Sequence, residues 1–106
     1  MRLLHALVIP LLAAGSASAA GDGVDVSRGH ELAKAWCTQC HAVERDQFAG
    51  PFAAVPSFVA VARQTSTTGP ALHAFLTTPH GDMPDVKLTP TQLGDLIAYI
   101  LSLRDP

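Results

Sequence analysis

Apolar positions recur at helical spacing in four short stretches of the chain, and no stretch alternates convincingly with the two-residue period of a half-buried strand. Ser27 is placed to cap a first helix running to about Thr38, in which Gly29, Leu32, Ala33 and Trp36 share one face. Pro56 suits the opening of a second, in the run PSFVAVARQ. A third runs from Pro70 to about Thr78 and has to stop before Pro79, because a proline disfavours helical geometry in the residue preceding it. The last is the most strongly marked. Thr89 as N-cap, Pro90 at the first helical position and Gln92 at the third form a capping box, and Leu93, Leu96, Ile97, Ile100 and Leu101 follow as a continuous apolar face. Between these stretches, residues 42–55 lack a helical period and turn at Gly50-Pro51, and PHGDMPD holds too many prolines and glycines for regular structure. The pattern predicts an all-α domain of three to four short helices.

The first twenty residues follow another logic. Arg2 supplies a positive start, Leu3 to Leu12 an apolar core, and Ala17-Ser18-Ala19 a small-residue cleavage pattern, so residues 1–20 read as a cleaved secretory signal and residues 21–106 as a single domain. The apolar run is interrupted by Pro10 and falls well short of the ~20 residues that cross a bilayer, so a retained membrane anchor is the less favoured reading. GDGVDV, which follows, reads as a mobile lead-in. Export places the domain in the periplasm or another oxidising compartment.

About 86 residues then remain, few for a self-sufficient hydrophobic core, and a chain of that size usually relies on a staple or a cofactor. Removing Arg2 with the leader leaves six basic residues against nine acidic ones, a formal charge of −3 without a basic cluster. Nucleic-acid binding is disfavoured, because nothing in the chain would neutralise a run of phosphates.

Both cysteines lie in WCTQCHAV, with His41 directly after the second. A disulfide between Cys37 and Cys40 would close a tiny loop and add little chain-entropy stabilisation. A thioredoxin-like dithiol uses the same spacing but opens a helix in a βαβ setting, which this pattern lacks. A zinc site needs four ligands, and His30, His73 and His80 form no second pair at comparable spacing. The remaining reading, C-x-x-C-H, is covalent c-type haem attachment. In it Cys37 and Cys40 bond to the two vinyl groups and His41 becomes an axial ligand to the iron. Two side chains about one turn apart reach neighbouring pyrrole edges, and the next residue projects beneath the metal.

An iron with one histidine ligand needs its other face explained. Met1 leaves with the leader, so Met83 is the only thioether of the expected mature chain, and it lies in the irregular loop before the last helix. A lone methionine is ordinarily flexible core filler; given a haem, it becomes the sixth-ligand candidate, with His80 and then His73 as rivals.

These residues together resemble a small class I cytochrome c, a monohaem c-type cytochrome, over nearly the whole expected mature chain, from GHELAKAWCTQCH through VPSF to MPDVKLTPTQLGDLIAYILSL. The resemblance implies an N-terminal helix bearing a glycine, Gly29, crossing a C-terminal helix bearing an aromatic residue, Tyr99, with Leu96 and Ile100 beside it facing the porphyrin. A residue without a Cβ suits such a crossing, since it lets two helices approach closely. The resemblance also implies a proline carbonyl that accepts a hydrogen bond from the proximal histidine. Gly50-Pro51 has the family's dipeptide and Pro56 its downstream context, and Pro56 is preferred. Two departures stand out. The position four after the helix-one glycine, often aromatic in the family, is Ala33, which leaves Trp36 to supply that bulk. A mid-chain tryptophan for a haem propionate is missing, with Arg63 a weak substitute.

The expected function is one-electron transfer by a single covalent haem c, with His41 and Met83 filling both axial positions, so the chain is expected to be an electron carrier rather than an enzyme. It would act as a periplasmic shuttle or as the haem subunit of an oxidoreductase, with a dehydrogenase, an oxidase or another cytochrome as redox partner and no membrane span after cleavage. The resemblance implies docking over Thr38, Gln39 and Ala42 on one side and residues 81–85 on the other. The alternatives are a haem peroxidase or gas sensor with a labile sixth ligand and, less favoured, a thiol-disulfide protein using Cys37 and Cys40.

Overall fold

Asp25, rather than Ser27, starts the first helix, α1 (Val26–Trp36): its carboxylate accepts the Arg28 backbone N–H at 2.9 Å. The helix ends two residues earlier than the pattern suggests, where the Cys37 N–H closes on Ala33 O. The computed structural model describes residues 10–12, 15, 23–79 and 81–105. The expected leader therefore lies almost wholly outside the described residues, as does His80.

Each later helix is started by a hydroxyl. Ser57 caps α2 (Phe58–Arg63), accepting from the Ala60 N–H at 3.1 Å, so Pro56 lies just before the helix instead of opening it. Thr68 caps α3 (Gly69–Thr77), which stops before Pro79 as expected. Thr89 and Gln92 make both halves of a capping box on α4 (Pro90–Ser102), at 3.2 and 3.0 Å. Among the described residues these four helices form no strand, and the fold is all-α.

Helix α4 is the element against which the others pack. On its buried face Leu96, Tyr99 and Ile100 meet Ala33 of α1, Val59 and Ala62 of α2 and Leu72 of α3 in one apolar core. At the crossing with α1, Gly29 touches α4 so closely that a Cβ there would lie 1.9 Å from Asp95 O. The C-terminal end of α4 is fastened by two arginines. Arg45 donates to Ser102 O at 2.7 Å and to Asp105 O, while Arg104 donates to Ala62 O at 3.0 Å and to Thr67 O.

Two expectations are corrected at the crossing. The segment expected to be a loose lead-in is anchored at Asp25, whose backbone N–H donates to the buried Asp95 carboxylate at 2.7 Å. Trp36 does not supply aromatic bulk beside Ala33, since it is 50% exposed. The ring that covers Tyr99 is that of His30, stacked with centroids 4.7 Å apart and planes 16° apart.

Asp95 also accepts from Arg28 Nε at 2.9 Å. The Arg28 bond, and after it the Asp25 N–H, hold its carboxyl below the usual aspartate range. A depressed native pKa gives stability that is complete above the ordinary value of about 4 and is lost as pH falls through the lowered native one. Asp95→Asn should therefore lower the denaturation midpoint at pH 7 and flatten its fall as the pH drops below about 4, as read by urea titrations across a pH series.

Candidate functional site

The C-x-x-C-H segment leaves α1 as a single tight turn, in which the N–H groups of Cys40 and His41 both donate to Cys37 O, at 3.2 and 2.9 Å. The Thr38 hydroxyl binds back to Lys34 O at 2.8 Å and continues the helix's hydrogen bonding into the turn. Cys37 is buried and Cys40 is partly exposed. Burial pushes the Cys37 thiol up to about 11.

The His41 ring is aimed by its own hydrogen bond. Nδ1 lies 2.7 Å from Pro56 O, and because a carbonyl can only accept, the proton sits on Nδ1 and the lone pair on Nε2 is free for a metal. The acceptor is Pro56, while Pro51 stands exposed in the loop. Phe58 N–H donates to Ala42 O at 2.9 Å, and the Phe58 ring lies against His41 with centroids 5.2 Å apart. Gly50 closes the other side: a Cβ there would meet Ala42 N at 2.8 Å and His41 C at 3.2 Å.

Beside this turn opens a cavity walled by Cys37, His41, Phe58 and Val61 on one side, Leu72, Phe75 and Leu76 of α3 on another, and Leu96 and Ile100 of α4. Met83 and Val86 bring the loop before α4 to the same cavity. A wider cleft adjoins it across Leu76 and Val86, rimmed by Thr77, Asp85 and Lys87, but holds neither cysteine, nor His41, nor Met83. The residues present fit a porphyrin. The wall is apolar, as the ring's faces require, and the donors it offers are the Cys37 sulfur, the His41 nitrogen and the Met83 thioether. Among the described residues no group of three or more His, Cys, Asp or Glu side chains is placed to hold a metal ion.

Of the residues singled out in the sequence, Cys37, His41, Met83, Leu96 and Ile100 come together on this cavity, Cys40 lies in the turn beside it, and Pro56 reaches it through His41. Gly29 and Tyr99 do not line it; they sit at the α1–α4 crossing. Ala42 is fully buried and cannot belong to a docking face, whereas Thr38, Gln39, Gly81, Asp82, Pro84 and Asp85 are exposed. Arg63, at the end of α2, is exposed as well. The sequence marks Gly50 only as a turn and Phe58 only as context for Pro56, and it assigns no role to the α3 face of Leu72, Phe75 and Leu76, although that face is readable as a stripe at i, i+3, i+4.

The family model described as Cytochrome c matches residues 26–104, from the start of α1 to just past α4. The chain is 44% identical over 94 residues to a protein of Bradyrhizobium diazoefficiens named Cytochrome c-552, a match covering 89% of each chain. No solved structure matches it.

Proposed function

The chain belongs to the cytochrome c family, as an electron carrier with covalently bound haem c, and we propose that it shuttles single electrons in the periplasm with His41 and Met83 as axial ligands. When bound, the haem supplies an iron that passes between ferrous and ferric. Cys37 and Cys40 would hold its vinyl edges as thioethers. The observation that carries the reading is the 2.7 Å bond from His41 Nδ1 to Pro56 O, which supports it by leaving the opposite nitrogen available to the iron. Met83 on the same cavity is the complementary donor, and its soft sulfur stabilises the reduced state. With both positions held by His41 and Met83, the bound haem would offer no open coordination position to a substrate. The apolar wall from Phe58 to Ile100 excludes water and disfavours added charge at the metal.

We assign residues 21–106 to the working domain and residues 1–20 to a cleaved leader. The positive start at Arg2, the apolar run from Leu3 to Leu12 and the small residues Ala17-Ser18-Ala19 support this. Among the described residues no helix is long and apolar enough to cross a membrane. Redox partners would meet the exposed faces of Thr38 and Gln39 and of residues 81–85.

The ligand assignment is tested by potentiometry on two variants. Met83→His should lower the reduction potential while the iron stays low-spin, and Met83→Ala should admit water or an added ligand. If His80→Ala removes the native sixth ligand while Met83→Ala changes nothing, the assignment to Met83 is wrong.

A further inference from the structure

We propose that Tyr99 and His30 are positioning residues for His41, holding the backbone behind that ligand instead of contacting the bound group. Tyr99 is buried, its ring stacks on His30, and it lies off the cavity wall, so packing the helix crossing accounts for the ring. Packing leaves the hydroxyl unexplained, because a phenylalanine would serve as well. That hydroxyl donates to Val43 O, the carbonyl of a residue only 1% exposed, and a buried carbonyl needs a hydrogen-bond partner. His30 Nε2–H meets the Glu44 carboxylate at 2.8 and 3.0 Å.

Val43 and Glu44 are the second and third residues after His41, and the segment is consequently tied at every step. The His41 ring is held by Pro56, the Ala42 carbonyl by Phe58, the Val43 carbonyl by Tyr99 and the Glu44 side chain by His30. Pro56 and Phe58 belong to one short stretch at the start of α2, and they hold the segment from a single side. The ties from Tyr99 and His30 come from the α1–α4 crossing and fix the segment's far end. A segment free to pivot about Pro56 would lengthen the His41–Pro56 bond, which is the bond that directs the ring at the metal. Through these two side chains the helix crossing sets the direction of the proximal ligand.

The inference rests on His41 being an iron ligand, and its test separates the two claims. In the ferric holoprotein, proton NMR reads the paramagnetically shifted His41 ring resonances and the solvent exchange of its Nδ1–H. Tyr99→Phe and His30→Phe keep the stacked rings and remove the polar ties; Thr89→Ala, which removes only the capping box of α4, serves as a control for general destabilisation. The Tyr99 variant should speed Nδ1–H exchange by about tenfold more than the control and move the ring resonances, with His30→Phe acting in the same direction. Unmoved His41 resonances in both variants, with exchange no faster than in the control, would show a purely structural role and overturn the proposal. A native spectrum without paramagnetically shifted His41 ring protons would overturn the ligand assignment itself, and the inference with it.

Discussion

Gly29→Ala should lower the thermal midpoint of the holoprotein by at least ~12 °C, against the ordinary trend for that change in a helix. In an exposed helix interior alanine is the better residue by roughly 0.5–1 kcal/mol. Here the added Cβ would lie 1.9 Å from Asp95 O, 2.5 Å from Asp95 C and 2.8 Å from Tyr99 Cβ. The obstacles are backbone and a first side-chain carbon, so no rotamer change relieves them, and α1 and α4 have to separate. Overpacking costs typically 1–3 kcal/mol, and a clash this deep belongs at about 3 or above. A small domain loses roughly 4–8 °C per kcal/mol, which gives the stated shift. Separation would also pull Asp25 and Arg28 from Asp95 and Tyr99 from Val43, removing three hydrogen bonds from the same contact. A melting curve at or above the native one, followed by far-UV circular dichroism, would sink this account of the crossing.

Replacing both Cys37 and Cys40 with alanine should abolish the holoprotein. The native chain, made with c-haem maturation machinery, should keep one haem through acid–acetone extraction and weigh one haem more than its polypeptide. The double variant should keep none and lose most of its helical signal, because walls supplied by α3, α4 and the Met83 loop face the cavity and would lose what they pack against. Haem extracted from the native protein by acid–acetone would contradict the covalent tether.

The parts of this molecule legible in the sequence are those that depend on neighbours along the chain. The capping box of Thr89 and Gln92, the stop before Pro79 and the C-x-x-C-H turn are local, and α4 runs as its pattern says. What the pattern missed depends on residues far away in sequence. Asp25 and Ser27 are both good caps, and Asp25 is further fixed by Asp95, seventy positions on. Trp36 looked like the missing aromatic because it shares a helix face with Ala33, but the contact that matters is an imidazole laid on Tyr99 from another helix. Ala42 looked like part of a docking rim and is buried because Phe58 and Gly50 close over it. At the site, residue types with distinctive chemistry could be named in advance, whereas the apolar wall of Val61, Leu72, Phe75, Leu76 and Val86 consists of side chains whose neighbours only the fold decides.

The most direct test of the central claim is the one-dimensional proton NMR spectrum of the reduced, diamagnetic holoprotein, taken beside that of Met83→Ala. A methionine bound to the iron holds its methyl over the porphyrin face, where the ring current moves it far upfield of every other protein resonance. The account predicts one such three-proton line in the native protein and its disappearance in Met83→Ala. A native spectrum lacking that line, or a line that survives the loss of Met83, would contradict ligation by His41 and Met83.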